Sequence, residues 1–279
     1  MNQIAIIFNP KTSEAESLSK AMRRWLEDRQ RRVWTYVIGD IGELKPQASR
    51  LGLVIVLGGD GTTLSAARLA APFGVPIFGV NLGRVGFLSE TTLEAWQEDL
   101  QLVLNGDYWL ERRLMLEAGI WRDGRQLDKM AALNDVVVSR GTQVRVVRFH
   151  LFVDGVRVTT YTADGLVIAT PTGSTAYSMA AGGPLLPPQL QNFLVLPVAP
   201  HLSFERPVVL YQDAVVKVQV ETEHGAVATA DGQEAVSLQN GDEVVIAKHS
   251  YDSLFARVRQ SGYFYHRLMQ RLSYWSRNQ

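Results

Sequence analysis

Residues 51–62 read Leu-Gly-Leu-Val-Ile-Val-Leu-Gly-Gly-Asp-Gly-Thr, an apolar segment followed by a turn that holds three glycines and one carboxylate. The pattern predicts a buried strand that enters a tight turn, with a helix starting behind it. Glycine adopts backbone angles closed to other residues, and the free N–H groups at a helix start attract anions. A carboxylate beside a phosphate is repelled unless it binds a metal ion, holds a sugar hydroxyl or takes that hydroxyl's proton. Asp60 therefore indicates phosphate chemistry rather than phosphate binding alone.

The phosphate-binding turn predicted by this pattern comprises Gly58, Gly59, Gly61 and Thr62. We expect Thr62 to be the N-cap of a helix over residues 63–71. An ordinary strand-to-helix turn, in which the aspartate satisfies local N–H groups, is the structural alternative for this motif taken alone.

Strand and helix patterns alternate on both sides of the turn. They are strands at 3–8, 33–38, 51–57 and 75–80, and helices at 13–28, 63–71 and 92–105. Strands of nearly continuous Val, Ile and Leu between helices are typical of a parallel sheet covered on both faces. We therefore expect an α/β N-terminal domain with a parallel Rossmann-like sheet over residues 1–110.

The second half of the chain has a different pattern. Short alternating segments separated by turn signals such as Asp123-Gly124 predict a mostly β C-terminal domain over residues 111–260. Examples of these segments are 114–121, 136–139, 144–153, 156–161, 166–169, 208–220 and 244–247. Within residues 261–279, Phe264, Leu268, Leu272 and Trp275 fall on one helical face, which predicts a C-terminal helix that packs back on the first domain.

Composition excludes several classes of protein. The 28 basic residues balance 28 acidic ones, so no global field draws the chain to nucleic acid or to an anionic membrane. There are no cysteines, which excludes disulfides, cysteine-bound metals and thiol catalysis, and the five histidines show no metal-ligand spacing. No stretch approaches the roughly 18 apolar residues of a membrane span, and we expect a cytoplasmic protein.

Two further segments carry groups that suit a nucleotide. Residues 164–184 form a strand that opens into a turn crowded with hydroxyls and glycines, and this turn holds one aromatic ring at Tyr177. Hydroxyls and backbone amides suit phosphates and ribose, and a tyrosine face suits a purine. Asn134 and Asp135 supply the donors and acceptors that a ribose diol needs. The structural alternatives are a Ser/Thr-rich loop with a core tyrosine and a plain Asx turn.

These three segments together resemble the NAD kinase family, and the resemblance extends over nearly the whole chain. The matching elements, in family order, are Gly58 to Thr62, Asn81 to Gly83, Gly86 to Leu88, Asn134-Asp135, Asp164-Gly165, Thr170 to Tyr177, Gly182 to Pro184, Arg206-Pro207 and Asp231 to Gln233. The resemblance implies transfer of a phosphoryl group from ATP, or in some members from polyphosphate, to the adenosine ribose 2′-hydroxyl of NAD. It also implies a divalent cation, with Mg²⁺ expected.

Residue roles follow from the same resemblance. Asp60 matches the family's proton acceptor and Tyr177 its adenine-stacking ring. The NAD-binding positions that it implies are Asp60, Gly61, Phe87, Asn134, Asp135, Arg145, Thr162, Asp164, Thr175, Ala176, Tyr177, Ser178, Met179, Ala180 and Gln233. Relatives are dimers or tetramers whose pockets are completed by a neighbour, so a homodimer or homotetramer is expected.

Two positions depart from the family pattern. Thr162 stands where several relatives carry arginine or glycine, which leaves the choice of donor open, and Ala180 stands where some have serine. Two other functions remain alternatives. A diacylglycerol- or sphingosine-type lipid kinase shares the glycine-Asp turn but needs an apolar acceptor pocket. A non-catalytic NAD(P) sensor would gain nothing from an anion at the position of Asp60.

Overall fold

The structure is a computed structural model that describes residues 1–83, 86–141, 145–201, 205–233, 235–260, 264–265 and 268–269. The chain divides into two compact units, the first comprising Met1–Arg112 and Ser253–Gln279 and the second comprising Arg113–Asp252. The second unit thus ends at Asp252, whereas the sequence pattern placed its end at residue 260. The difference arises because the strand Ser253–Arg257 belongs to the sheet of the first unit.

The strands and helices are as follows. The strands are β1 Gln3–Phe8, β2 Arg32–Val37, β3 Leu53–Leu57, β4 Ile77–Asn81, β5 Thr91–Thr92, β6 Trp109–Arg113, β7 Leu116–Arg122, β8 Arg125–Ala132, β9 Asp135–Arg140, β10 Val147–Val153, β11 Val156–Ala163, β12 Gly165–Ala169, β13 Asn192–Val198, β14 Val208–Tyr211, β15 Val216–Glu221, β16 Ala226–Ala230, β17 Val236–Leu238, β18 Glu243–Lys248 and β19 Ser253–Arg257. The α-helices are α1 Ala15–Glu27, α2 Lys45–Ala48, α3 Asp60–Ala70, α4 Trp96–Asn105 and α5 Tyr177–Ala180.

The first unit is built on a mainly parallel sheet with the strand order β2-β1-β3-β4-β19-β6, and β5 pairs with β4. Strand β1 runs parallel to both β2 and β3, and β4 runs parallel to β3 and β19. All five residues of β3 are buried. Helix α1 is amphipathic and buries Leu18, Met22 and Leu26. The predicted α/β domain with a parallel sheet is confirmed, because buried apolar strands between amphipathic helices have few other ways to cover both faces.

Helix α3 begins earlier than the sequence pattern predicted. Its N-cap is Gly59 and its first residue is Asp60, so Thr62 lies inside the first turn and is not the cap. Gly59 has the extended backbone that an N-cap requires, at φ −89° and ψ −172°. The helix predicted over 92–105 begins instead at Trp96, because Thr91–Thr92 pairs with β4.

The second unit contains two six-stranded sheets with the orders β11-β10-β15-β18-β7-β8 and β14-β13-β12-β9-β16-β17. Apolar residues of both sheets form one buried core, including Phe149, Tyr161, Leu166 and Phe193. The predicted, mostly β composition is confirmed. The single strand predicted over 208–220 is wrong, because a turn in which Ala214 N–H donates to Tyr211 O separates β14 from β15.

The predicted C-terminal helix lies mostly outside the described residues. Of its apolar face, Phe264 and Leu268 are described, and Leu268 is buried. Leu272 and Trp275 are not among the described positions. No helix in the described ranges has the length and apolar character needed to cross a membrane.

Candidate active site

The glycine turn lies where β3 ends and α3 begins. Gly58 has φ +156°, and a Cβ at this position would lie 2.7 Å from Thr62 Oγ1, so a larger residue would collide with the helix. Gly59 and Gly61 are exposed, and a Cβ on either would meet nothing within 4 Å. Their surface is thus open to a ligand at the N-terminus of α3, where free N–H groups favour an anion.

Asp60 occupies the first position of α3 and is held by the segment that follows β4. Its Oδ2 accepts the Phe87 N–H and its Oδ1 accepts the Leu88 N–H, each at 3.1 Å. Gly86 is buried against this carboxylate, since a Cβ there would lie 3.0 Å from Asp60 Cγ and closer still to Oδ1. Two backbone donors therefore fix the orientation of this carboxyl group.

Phe87 is the one predicted NAD-binding residue on this segment, and it is buried, with 9% of its surface exposed. Its backbone rather than its ring makes the contact with Asp60. Among the described residues, no group of three or more His, Asp or Glu side chains is arranged to hold a metal ion.

In the second unit, Asn134 and Asp135 stand at the start of β9 and are clamped from two sides. The Asp231 carboxylate accepts backbone N–H groups of Leu133, Asn134 and Asp135 at 3.1, 2.7 and 3.3 Å. On the other side, Thr170 N–H donates to Asn134 O at 2.8 Å. The clamp fixes the backbone that carries both side chains.

Gly173 is required for this clamp. A Cβ at residue 173 would lie 2.8 Å from Asn134 Cα and closer still to its carbonyl group. The hydroxyl-rich turn after β12 therefore packs directly on the Asn134–Asp135 loop.

A pocket of about 350 Å³, called the Tyr177 pocket below, opens beside this loop. It is lined by Asn134, Asp135, Val137, Ala176, Tyr177, Thr229, Asp231 and Gly232. The Tyr177 side chain is 44% exposed and begins α5, so it is no core tyrosine. Pockets of this size with one aromatic wall and a few convergent polar groups are typical of small-ligand sites.

Asp135 has an unusual acidity in this pocket. Burial and the negative charge of Asp231 together raise the pKa of Asp135 to about 7. A carboxyl group with this pKa is part protonated near neutrality, so it can donate as well as accept a hydrogen bond.

The remaining residues of the hydroxyl-rich turn have mixed surroundings. Thr175 is buried and its Oγ1 donates to Thr172 O at 3.2 Å. Ser178 is fully buried, and its Oγ has no hydrogen-bond partner in the part of the chain that the structure describes. Met179 is half-buried and Ala180 is exposed at the end of α5. Gln233 N–H closes a turn to Ala230 O beside the pocket.

Three predicted NAD-binding residues lie elsewhere in the second unit. Arg145 and Thr162 line a separate pocket of about 650 Å³, with Arg148 and His224 among its other residues. Asp164 pairs with Arg140 at 3.1 Å. Asp164 and Thr170 flank the two ends of the extended strand β12, so they are roughly 20 Å apart. Within one chain, these three residues are not brought to the Tyr177 pocket.

Four residues that line the Tyr177 pocket are absent from the predicted NAD-binding positions, namely Val137, Thr229, Asp231 and Gly232. Asp231 and Gly232 belong to one of the matching family elements, but the resemblance gave them no role. Asp231 had a detectable signal, because its Asp-Gly pair predicts a turn with positive φ, and the observed φ values are +52° and +65°. Val137 and Thr229 face each other across β9 and β16, a pairing that is not visible in the local pattern.

Comparison with known protein families gives two matches. Residues 42–108 match the ATP-NAD kinase N-terminal domain, and residues 133–258 match the ATP-NAD kinase C-terminal domain. The NAD kinase of Heliobacterium modesticaldum is 40% identical over 272 residues, which cover 95% of this chain and 96% of the relative. The NAD kinase of Chloroflexus aurantiacus is 37% identical, with 98% and 99% covered.

Solved structures give the same result. An NAD kinase from Archaeoglobus fulgidus in complex with ATP aligns with a TM-score of 0.78 and 26% identity over 96% of this chain and 97% of that one. Yeast NADH kinase complexed with NADH shares the fold, with a TM-score of 0.85 and 24% identity over 98% of this chain and 88% of that one. With relatives this similar along almost its entire length, the chain belongs to the NAD kinase family of enzymes.

Proposed function

We propose that this enzyme transfers the γ-phosphoryl group of ATP to the 2′-hydroxyl of the adenosine ribose of NAD, with NADP and ADP as products. The observation that carries the proposal is the Asp60 carboxylate, which two backbone N–H groups hold at the first position of α3, beside the exposed glycines of the turn. Membership of the NAD kinase family supports the choice of acceptor.

Asp60 accepts the proton of the acceptor hydroxyl in this reaction. The 2′-oxygen forms a bond to the γ-phosphorus, the bond from that phosphorus to the β–γ bridging oxygen breaks, and the hydroxyl proton passes to the carboxylate. An ordinary aspartate, with pKa about 3.9, is a weak base for an alcohol. It suffices here because the loose transition state of phosphoryl transfer removes the proton late, so a positioned acceptor is what the reaction needs.

The Tyr177 pocket holds the adenosine half of NAD. The exposed tyrosine ring offers a face on which the adenine stacks, and Asn134 and Asp135 offer an amide and a carboxyl group to the nucleoside. A lipid chain in this pocket would leave the Asn134 amide and the Asp135 carboxyl group without hydrogen-bond partners from the ligand, which disfavours a lipid acceptor.

A divalent cation completes the proposal, with Mg²⁺ expected. When bound it would neutralise charge on the donor phosphates. Asp60 is the carboxylate of the glycine turn, and the open surface of Gly59 and Gly61 leaves space for phosphates that bring the ion with them.

We further propose that a second copy of the chain completes the NAD site, in a homodimer or homotetramer. The support is the separation within one chain of Arg145, Thr162 and Asp164 from the Tyr177 pocket. Sedimentation of the purified protein measures the assembly, and an Arg145→Ala subunit mixed with a Tyr177→Ala subunit measures sharing. Partial recovery of activity in the mixture supports a shared site, and activity no higher than that of either variant contradicts it.

The reaction is tested by incubating the protein with NAD, a donor and Mg²⁺ and detecting NADP with an NADP-specific dehydrogenase. Parallel reactions with ATP and with polyphosphate establish the donor, which the threonine at position 162 leaves open. Absence of NADP with both donors, from a folded protein that binds NAD, would instead support a sensor.

The role of Asp60 is tested with Asp60→Asn. The asparagine presents one oxygen to two backbone N–H groups and takes no proton, so we expect kcat to fall by about 10²–10⁴-fold. NAD affinity measured by calorimetry should change much less. Equal losses in affinity and rate would make Asp60 a ribose or metal anchor instead.

A further inference from the structure

A buried ion cluster lies directly behind the segment that holds Asp60. Arg257, the last residue of β19, donates from Nη1 to Glu90 Oε2 at 3.0 Å and from Nε to Glu111 Oε2 at 2.8 Å. The three side chains are at most 7% exposed. A buried ion pair stabilises a fold little compared with apolar residues of the same volume. The hydrogen bonds that Arg257 and Glu90 make to the backbone therefore say more about the role of this cluster than its ion pairs do.

Arg257 also binds the backbone of the Asp60-holding segment. Its Nη1 donates to Leu88 O and to Ser89 O, each at 3.2 Å. Leu88 is thus held at both ends of its own backbone, because its N–H donates to Asp60 and its carbonyl accepts from Arg257.

The far end of the segment is fixed in the same way. Glu90 Oε1 accepts the backbone N–H groups of Val258 and Arg259, both at 2.9 Å, and Glu90 N–H donates to Gly79 O at 2.7 Å. Ser89 lies so close to β4 that a Cβ on Gly79 would be 2.9 Å from its Cα. Strands β4 and β19 together therefore set where the segment lies.

We propose that Arg257 is a positioning residue for the reaction, acting through Leu88 on the Asp60 carboxylate. The inference rests on the proposed role of Asp60. Without the guanidinium fork, the carbonyl groups of Leu88 and Ser89 lose their shared donor, the segment shifts, and the N–H groups that orient the carboxylate shift with it. Lysine at this position keeps the charge but not the planar fork that reaches several acceptors at once.

The test is a double-mutant cycle between Arg257→Lys and Asp60→Asn, read as kcat and as NAD affinity. In the parent background we expect Arg257→Lys to lower kcat by about 10–100-fold, since small displacements of a catalytic group have effects of this size. NAD affinity should stay within about threefold of the parent. In the Asp60→Asn background the same substitution should lower kcat no further, because residues that act through one another are not additive.

Arg122→Lys is the matched control. Arg122 makes a two-pronged contact with the buried carboxylate of Asp242 at 2.8 Å in the second unit, and neither residue is among those that line the two pockets of that unit. We expect it to lower the melting temperature and leave kcat unchanged. If Arg257→Lys does not fold, Glu111→Gln takes its place in the cycle, since it removes the negative charge that pairs with Arg257 Nε and leaves Glu90 in place.

The outcomes separate two kinds of failure. If Asp60→Asn alone has the turnover of the parent, the proposed catalytic role of Asp60 is wrong. If Asp60→Asn is slow, Asp60 keeps its role, and two results overturn the positioning role of Arg257. In the first, Arg257→Lys, or Glu111→Gln in its place, lowers kcat by the same factor in both backgrounds. In the second, the substitution leaves kcat at the parent value.

Discussion

Substitution of Gly86 by alanine should remove most of the activity and little of the fold. The new Cβ would lie 3.0 Å from Asp60 Cγ and 3.3 Å from Oδ2. Carbon atoms pack best about 3.5–4.0 Å apart, so the carboxyl group must move by about 0.5–1 Å. Its two hydrogen bonds of 3.1 Å to the Phe87 and Leu88 N–H groups would then lengthen towards the limit of useful geometry.

A displacement of this size at the reacting group lowers a rate by about 100-fold, and we expect that loss in kcat for Gly86→Ala. The colliding atom is the end of a side chain rather than backbone, so the fold should lose no more than about 1–3 kcal/mol. Steady-state NADP formation measures kcat, calorimetry measures NAD affinity, and thermal melting followed by circular dichroism measures the fold. Gly42→Ala is the matched control, because a Cβ there meets nothing within 4 Å. A folded Gly86→Ala protein with the kcat of Gly42→Ala would refute the reasoning.

Three further predictions concern the Tyr177 pocket. Tyr177→Ala should raise the NAD Michaelis constant about tenfold, because stacking on an aromatic ring contributes about 1–3 kcal/mol, whereas Tyr177→Phe should retain the parent value. Gly173→Ala should lower the melting temperature markedly, since its Cβ would collide with the Asn134 backbone, and a melting curve like that of the parent would contradict the packing. Because the folded pKa of Asp135 is raised to about 7, the parent should lose stability as the pH rises from about 4 to about 7, while Asp135→Asn should not. Melting temperatures of both proteins across this window check the difference, and a constant offset would show that the pKa of Asp135 is ordinary.

Local sequence patterns were sufficient to predict the α/β sheet and the position of the glycine turn between a strand and a helix. They did not pick out β8, whose first five residues are exposed and, apart from Leu127, polar, or β16, whose inward positions are alanines too small to stand out as an apolar face. They also misplaced the N-terminus of α3, since a threonine in the sequence is a better capping signal than the glycine that the backbone uses. Each error falls where tertiary contacts outweigh local preference.

The sequence by itself determined which elements form and which loops carry chemistry, because apolar periodicity and turn-forming residues act over a few positions. Only the tertiary structure decided what holds those loops in place. Arg257 reaches Leu88 from 169 positions along the chain, and Asp231 reaches Asn134 from 97 positions away. It also decided that Asp164 lies at the far end of β12 from Tyr177. Contacts of this range depend on strand order and on strand register. A slip of one residue in register would turn every side chain of a strand to the opposite face of the sheet, and no local window of sequence specifies strand order or register.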